Sequence, residues 1–233
     1  MSAKTAPPRI CAIIPSYNEE AHVADVVGRS AAHGLDVLVV DDCSKDATGA
    51  RASAAGAEVL RHETNRGKGA ALATGFAWAG ERGYEAAVTL DGDGQHDPAE
   101  IPRFLACYAR TGADIIVGTR MADSAGMPFD RKLTNWFMSA VLSWLAGRRL
   151  SDTQSGYRLV RTAAWRRLGL STSGFDTESE MLVRACRMGM RVREVPVSTI
   201  YGDETSSISP GRDFVRWTRL LWRLGHRTRG KAG

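Results

Sequence analysis

The stretch EAAVTLDGDGQHDP, Glu85 to Pro98, runs from a short apolar segment straight into three carboxylates, an amide and an imidazole. EAAVTL has the length and content of a buried strand. Asp91, Asp93 and Asp97 repel one another unless a cation, a basic partner or solvent separates them. Asp97-Pro98 explains the last of these, as an N-cap followed by a first helical residue. Asp91 and Asp93 come earlier, bracketed by glycines that let a backbone approach a ligand closely. An EF-hand calcium loop is excluded, because Gln95 and His96 stand where that loop needs Asp or Asn and then Gly, and Pro102 stands where its closing Glu belongs. What remains is a pair of carboxylates two residues apart on one side of an extended backbone, with Gln95 next on that side. Such hard oxygens suit Mg²⁺ or Mn²⁺ completed by phosphate oxygens and water.

Working outward, the same strand-then-polar-turn unit recurs. RICAIIP is a strand; SYNEEAHVADVVGRSAAHG reads as a helix with Asn18 as cap and Gly34 as stop. DVLVVDD is a second strand, Asp46 opens the helix ATGARASAAG, AEVLRH is a third strand and NRGKGAALATGFAWAGERG a helix opened by glycine. After the EAAVTL strand, Pro98 to Arg110 is helical and ADIIVGTR is a fifth strand. Strands and helices alternating at this spacing predict an α/β fold, a Rossmann-like, mostly parallel sheet with helices on both faces. Ligands of such sheets bind at the carboxyl ends of the strands. Pro15 to Glu19, Asp41-Asp42, Asp91 to Asp93 and Gly118 to Arg120 all fall there.

Beyond Arg120 the alternation stops. RKLTNWFMSAVLSWLAGRRL reads as a helix, SDTQSGYRLV as a loop into a short strand, FDTESEMLVRACRMG as a helix and MRVREVPVSTI as a strand, an appendage to the sheet that finishes the site. No G-x-G-x-x-G follows the first strand, and Lys68 is followed by Gly69 rather than Ser or Thr, so neither a dinucleotide fold nor a P-loop is present. Lys68, at a helix start beside the strand ends, is placed for a phosphate or sugar.

The chain of 233 residues, 43% hydrophobic and 24% charged, can bury one substantial core. Residues 1–8 hold no apolar run, so no signal peptide is expected, and no segment reaches the roughly 18–20 apolar residues of a membrane span. Four isolated cysteines read as reduced thiols of a cytoplasmic protein. The net charge of +5 is local: Arg212 to Lys231 holds seven Arg and Lys against Asp213 alone, while the rest is nearly neutral. No nucleic-acid partner is therefore expected.

IPSYNEE, VVDDCSKDAT, NRGKGAAL, DGDGQHDP, VGTR, DTQSGYRL and FDTESEML, in this order from about Ile10 to about Arg212, together resemble glycosyltransferase family two, a GT-A type fold, and within it the dolichyl-phosphate mannose synthase-like, polyprenyl-phosphate branch. The resemblance implies a metal-dependent, inverting enzyme that moves a sugar from a nucleotide-diphosphate sugar (GDP- or UDP-linked) to a polyprenyl phosphate or related lipid acceptor. Pro15, Tyr17 and Glu19 are then expected to hold base and ribose, Asp42 to read the base with Asp41 supporting it, and Asp91 and Asp93 to form the D-x-D motif, with Gln95 completing the metal's ligands. Arg120 and Arg131, with Asn135 a helical turn on, correspond to the clamp for the acceptor phosphate, which suits guanidinium groups. Were the acceptor a hydroxyl, Glu180, Glu178 or Asp176 would be the candidate base. Two positions depart from the family pattern. Cys43 stands where Gly is usual, and YGDETSSISPGR offers Ser206-Ser207 in place of a Ser-Lys pair, leaving Arg212 as substitute. A sugar nucleotidyltransferase is disfavoured by PSYNEE after the first strand, and a non-catalytic surface binder by the intact Asp91, Asp93 and Gln95.

The chain thus divides into a catalytic domain, 1–210, and a basic tail, 211–233. On a helical wheel Arg216, Arg219, Arg223 and Arg227 share one face, opposite Phe214, Trp217, Leu220, Leu221, Trp222 and Leu224. This pattern suits a helix lying on an anionic membrane surface, and equally a terminal helix docked on the domain. A lipid-borne acceptor favours the membrane, and hence a peripheral position on its cytoplasmic face.

Overall fold

The computed structural model describes residues 8–120, 129–174 and 176–198, with the backbone alone for 129–137. Ser206, Arg212 and the amphipathic tail lie outside the described residues. The chain runs β1 (Ile10–Ser16), α1 (Val23–Ala31), β2 (Asp36–Asp41), α2 (Thr48–Ala54), β3 (Glu58–Arg61), α3 (Lys68–Glu81), β4 (Ala86–Thr89), a 3₁₀ turn (Pro98–Glu100), α4 (Ile101–Thr111), β5 (Ile115–Thr119), α5 (Phe129–Ala146), β6 (Arg158–Arg161), α6 (Thr162–Leu168), α7 (Asp176–Arg187) and β7 (Val192–Pro196).

One seven-stranded sheet results, in the order β3-β2-β1-β4-β6-β5-β7. β1 pairs in parallel with β2 and β4, and β2 with β3. Alternate side chains of each strand feed opposite cores. Cys11 and Ile13 of β1 join the core under α3, α5, α6 and α7, whereas Ala12 and Ile14 join the one under α1, α2 and α4. A strand buried on both faces must be apolar throughout, which is why these segments stand out as unbroken runs.

The second half corrects the expectation of an appendage. β6 lies inside the sheet, antiparallel to both β4 and β5, with Leu159 opposite Val88 and Ile116. β7 forms the far edge, parallel to β5. The helix α6, which the sequence reading left unassigned, follows β6 without a break, and its Trp165 stacks on Phe76 of α3 at 4.1 Å. In α5, Leu142 and Ala146 are buried while Trp144 is 80% exposed, so the helix is amphipathic. No helix among the described residues is long and apolar enough to cross a membrane.

Two loop residues behave differently from, or more sharply than, their expected roles. α1 starts at Val23, so Asn18 is not its cap. Asn18 is left-handed, φ +57°, and its Oδ1 accepts the Lys45 N–H at 2.8 Å while its own N–H donates to Ser44 Oγ at 3.0 Å. It stitches the β1–α1 loop to the β2–α2 loop. Cys43 is also left-handed, φ +68°, a backbone state that favours glycine and gives its departure from the family's usual Gly a measurable cost. Cys43→Gly should stabilise the fold by about 1 kcal/mol and raise Tm by about 2–4 °C in a thermal melt.

Candidate active site

Four strand ends and two helix starts meet at one edge. The acid loop leaves β4 with its backbone pinned: the Asp91 N–H donates to His96 Nδ1 at 3.0 Å, which places the imidazole proton on Nε2. Burial pushes His96 down to about 4, keeping it neutral as this acceptor requires. Its ring packs against Tyr157, whose hydroxyl donates to the Asp97 carbonyl at 3.0 Å. Asp97 takes the Ala99 N–H ahead of Pro98 as expected, and also pairs with Arg29 of α1. Asp93 Oδ1 accepts the Gln95 N–H at 2.9 Å, folding the loop so that both acids stay on the rim. Gly92 is small for a structural reason: a Cβ there would lie 2.5 Å from Ser16 Oγ and 3.4 Å from Glu19 Cγ. That glycine accommodates the β1–α1 loop, where the sequence had suggested a ligand.

Lys68 opens α3 and reaches into the acids. Its Nζ is 2.5 Å from Asp91 Oδ1 and 3.0 Å from Glu178 Oε1 at the start of α7. Burial opposes its charge, but the two carboxylates outweigh burial and hold the ammonium above its usual pKa. Burial likewise pushes the Asp91 carboxyl up, and the Lys68 and Arg120 cations overcome it, leaving Asp91 below the ordinary range. The floor beneath is Gly156: a Cβ there would come within 2.7 Å of Lys68 Nζ, 2.9 Å of Glu178 Oε1 and 3.0 Å of Asp91 Oδ2.

The DTQSGYRL segment supplies that floor and a counter-charge. Arg120, at the end of β5, holds Asp152 in a two-pronged pair, Nε to Oδ2 at 2.7 Å and Nη2 to Oδ1 at 3.0 Å. Asp152 is fully buried and also accepts the N–H groups of Gln154 and Ser155. Burial raises its pKa, and Arg120 more than reverses this. Arg158 is buried too; it donates to the carbonyls of Ser155, Thr153 and Glu178, tying this loop to α7. A buried arginine spent on carbonyls fixes geometry at a desolvation cost.

The residues expected to hold the nucleotide line the adjoining edge. Pro15 is buried in β1, Tyr17 is 41% exposed, and the Glu19 N–H donates to Thr48 Oγ1 at 2.8 Å. Asp41 is buried, accepts the Ser44 N–H at 2.8 Å and pairs with Arg61 at 3.2 Å. Asp42 is placed otherwise than as a base-reading group held open. Its oxygens take the N–H groups of Arg66 at 2.9 Å and Gly67 at 2.7 Å, and His62 Nδ1 at 2.7 Å, so it latches the loop that delivers Lys68. His62 continues to Thr74 Oγ1 of α3 at 2.9 Å.

Of the candidate bases, Glu178 is tied to Lys68. Glu180 is corrected outright: it turns away, accepting the N–H and hydroxyl groups of Ser171 and Thr172 and pairing with Arg184. Burial raises its pKa, and these donors lower it by more, a net fall. Stability from Glu180 is therefore present above its unfolded pKa of about 4.3 and lost as pH falls through the lower folded value. Glu180→Gln should cost about 2 kcal/mol at pH 7 and flatten the loss of stability as pH falls below the unfolded carboxyl pKa of about 4.3, read by urea melts at a series of acidic pH values. Arg131 and Asn135 fall in the first half of α5, among residues described by backbone only. His62, His96, Asp152, Gly156 and Arg158 carry roles in the site that the sequence alone did not assign to them.

The mostly parallel seven-stranded sheet, with helices on both faces, matches the GT-A type, Rossmann-like fold. The chain belongs to the glycosyl transferase family 2, whose family model matches residues 11–172. It is 35% identical to an undecaprenyl-phosphate mannosyltransferase of Micrococcus luteus over 93% of this chain and 99% of that protein. It is 31% identical to a UDP-N-acetylglucosamine–dolichyl-phosphate N-acetylglucosaminyltransferase of Methanococcus voltae, over 91% and 93%. Among solved structures, glucosyl-3-phosphoglycerate synthase of Mycobacterium tuberculosis in complex with UDP shares the fold at TM-score 0.72, with 21% identity over 94% of this chain and 80% of that one. The protein is a glycosyltransferase.

Proposed function

We propose that this enzyme transfers a sugar from a nucleotide-diphosphate sugar to a polyprenyl phosphate, by direct displacement with inversion at the anomeric carbon. The observation that carries the reading is the Lys68 ammonium held between Asp91 and Glu178 at the end of β4, in a chain with relatives along nearly its whole length that are named for polyprenyl-phosphate acceptors. A phosphate acceptor has a second pKa near 6, so much of it is dianionic at pH 7 and needs no protein base. That agrees with Glu178 and Glu180 being committed to other partners.

Asp91, Asp93 and Gln95 are the residues that would hold Mg²⁺ or Mn²⁺. Among the described residues no three His, Cys, Asp or Glu side chains converge on a metal position. Two carboxylates and an amide fit an ion whose other ligands are phosphate and water. Bound there, it supplies Lewis-acid neutralisation of the departing diphosphate. The chain does the rest: Pro15, Tyr17 and Glu19 seat the nucleotide beside the Asp41-Asp42 turn, whose Asp42 holds the loop before α3, and Lys68 at the start of α3 faces its phosphates. Arg120 and Arg131, with Asn135, Ser206 and Arg212, receive the acceptor phosphate. The test is transfer from a panel of radiolabelled GDP- and UDP-sugars to a polyprenyl phosphate with Mn²⁺, with and without EDTA; no lipid-linked product from any donor overturns the reading.

The tail completes it by holding the enzyme on anionic membrane, each surface arginine contributing about 1 kcal/mol. Wild type should co-sediment with anionic vesicles at low salt and be released at high salt. Reversing Arg216, Arg219 and Arg223 to Glu should abolish co-sedimentation while sparing turnover of a short, water-soluble acceptor. Absent binding by wild type, or binding that the triple reversal leaves unchanged, would assign the tail to packing on the domain.

A further inference from the structure

A cation already sits on Asp91, the first acid of the D-x-D pair, and it belongs to the chain. Lys68 Nζ bridges Asp91 Oδ1 at 2.5 Å and Glu178 Oε1 at 3.0 Å, and all three charged ends close over Gly156. The ammonium relieves repulsion between two carboxylates that share one patch. A divalent ion arriving at Asp91 alone meets that ammonium at ion-pair range, and like charges so close oppose each other strongly away from bulk water. A nucleoside diphosphate changes the balance. It offers Lys68 new anionic partners at the N-terminus of a 14-residue helix, where the backbone dipole also favours negative charge.

Resting on the reading of Asp91 and Asp93 as ion ligands, we propose that Lys68 is a positioning residue that gates the ion site. Its ammonium occupies Asp91 in the empty enzyme, and the donor's diphosphate draws it off. Ion and donor therefore enter together, and the ion alone is turned away. By linkage, each raises the other's affinity by the same factor.

Mn²⁺ binding to the full chain, followed by the electron paramagnetic resonance signal of free Mn²⁺ with no sugar present, tests this apart from activity. Wild type should bind Mn²⁺ weakly alone and clearly better with UDP or GDP, beyond what free nucleotide takes up. Lys68→Gln should bind Mn²⁺ alone about 10-fold tighter or more, and Lys68→Arg, which keeps the charge, should behave as wild type. Lys68→Gln leaves Glu178 as a possible extra ligand and an unbalanced buried acid. The double variant Lys68→Gln/Glu178→Gln removes one charge of each sign and therefore decides: tighter Mn²⁺ binding than wild type supports the gate, since structural damage does not create affinity. Equal or weaker binding, with nucleotide-dependent Mn²⁺ binding intact in wild type, overturns the gate alone. No protein-bound Mn²⁺ in any variant, even with nucleotide, overturns the ligand assignment and the gate with it.

Discussion

Asp93→Ala is expected to lower kcat/KM by about 10³-fold or more, roughly 4 kcal/mol of transition-state stabilisation, and excess EDTA on wild type should do the same. Stability should change far less: the loop hydrogen bond from the Gln95 N–H to Asp93 Oδ1, at 2.9 Å, is worth about 1 kcal/mol. Steady-state kinetics beside a thermal melt separates the two effects. Full activity of Asp93→Ala, or of wild type in EDTA, would remove the metal from the mechanism.

The largest effect on stability is expected at Gly67. It precedes α3 with φ +92°, and a Cβ there would lie 2.6 Å from the carbonyl oxygen of Ser173. The obstructing atom is backbone, which cannot swing aside as a side-chain end would. Its N–H also closes the Asp42 latch at 2.7 Å. Gly67→Ala therefore combines a left-handed penalty with overpacking, about 2–4 kcal/mol together, and should lower Tm by about 5–10 °C. Because Lys68 is the next residue, donor KM should rise as well. Gly28→Ala is the control: nothing lies within 4 Å of its Cβ position, so the same change within α1 should be neutral or gain about 1 kcal/mol. Equal melts for the two variants would mean that the α3 entry is far more pliable than its packing implies.

The sheet and its ligand edge could be read from the sequence because both-face burial writes itself as apolar runs, and those of β1, β2, β4 and β5 end in a Ser-Tyr-Asn turn, in acids or in Gly-Thr-Arg. Asp91, Asp93, Lys68 and Arg120 do come to one edge. The misses have physical causes. RLVR of β6 holds two apolar residues between arginines, and nothing local says that Arg158 is buried or that the strand lies inside the sheet. Asp152 and His62 are single polar residues whose roles exist only through partners 32 and 20 positions away. Glu178 and Glu180 differ by two positions on one helix, and only the fold turns one toward Lys68 and the other toward Ser171 and Thr172.

The interior position of β6 also bears on how the chain reaches its native state. β4 ends at Thr89 and β5 at Thr119, yet the strand that joins them, Arg158–Arg161, is made much later. Until it arrives, both wait with open pairing edges, the condition that invites association between chains during synthesis. Loop closure of this span must be paid before the contacts return anything, so assembly is expected to be slow for a domain of this size. The donor half, 8–120, is therefore no separable module: expressed alone, it would lack both the neighbour that completes β4 and the glycine beneath its own lysine.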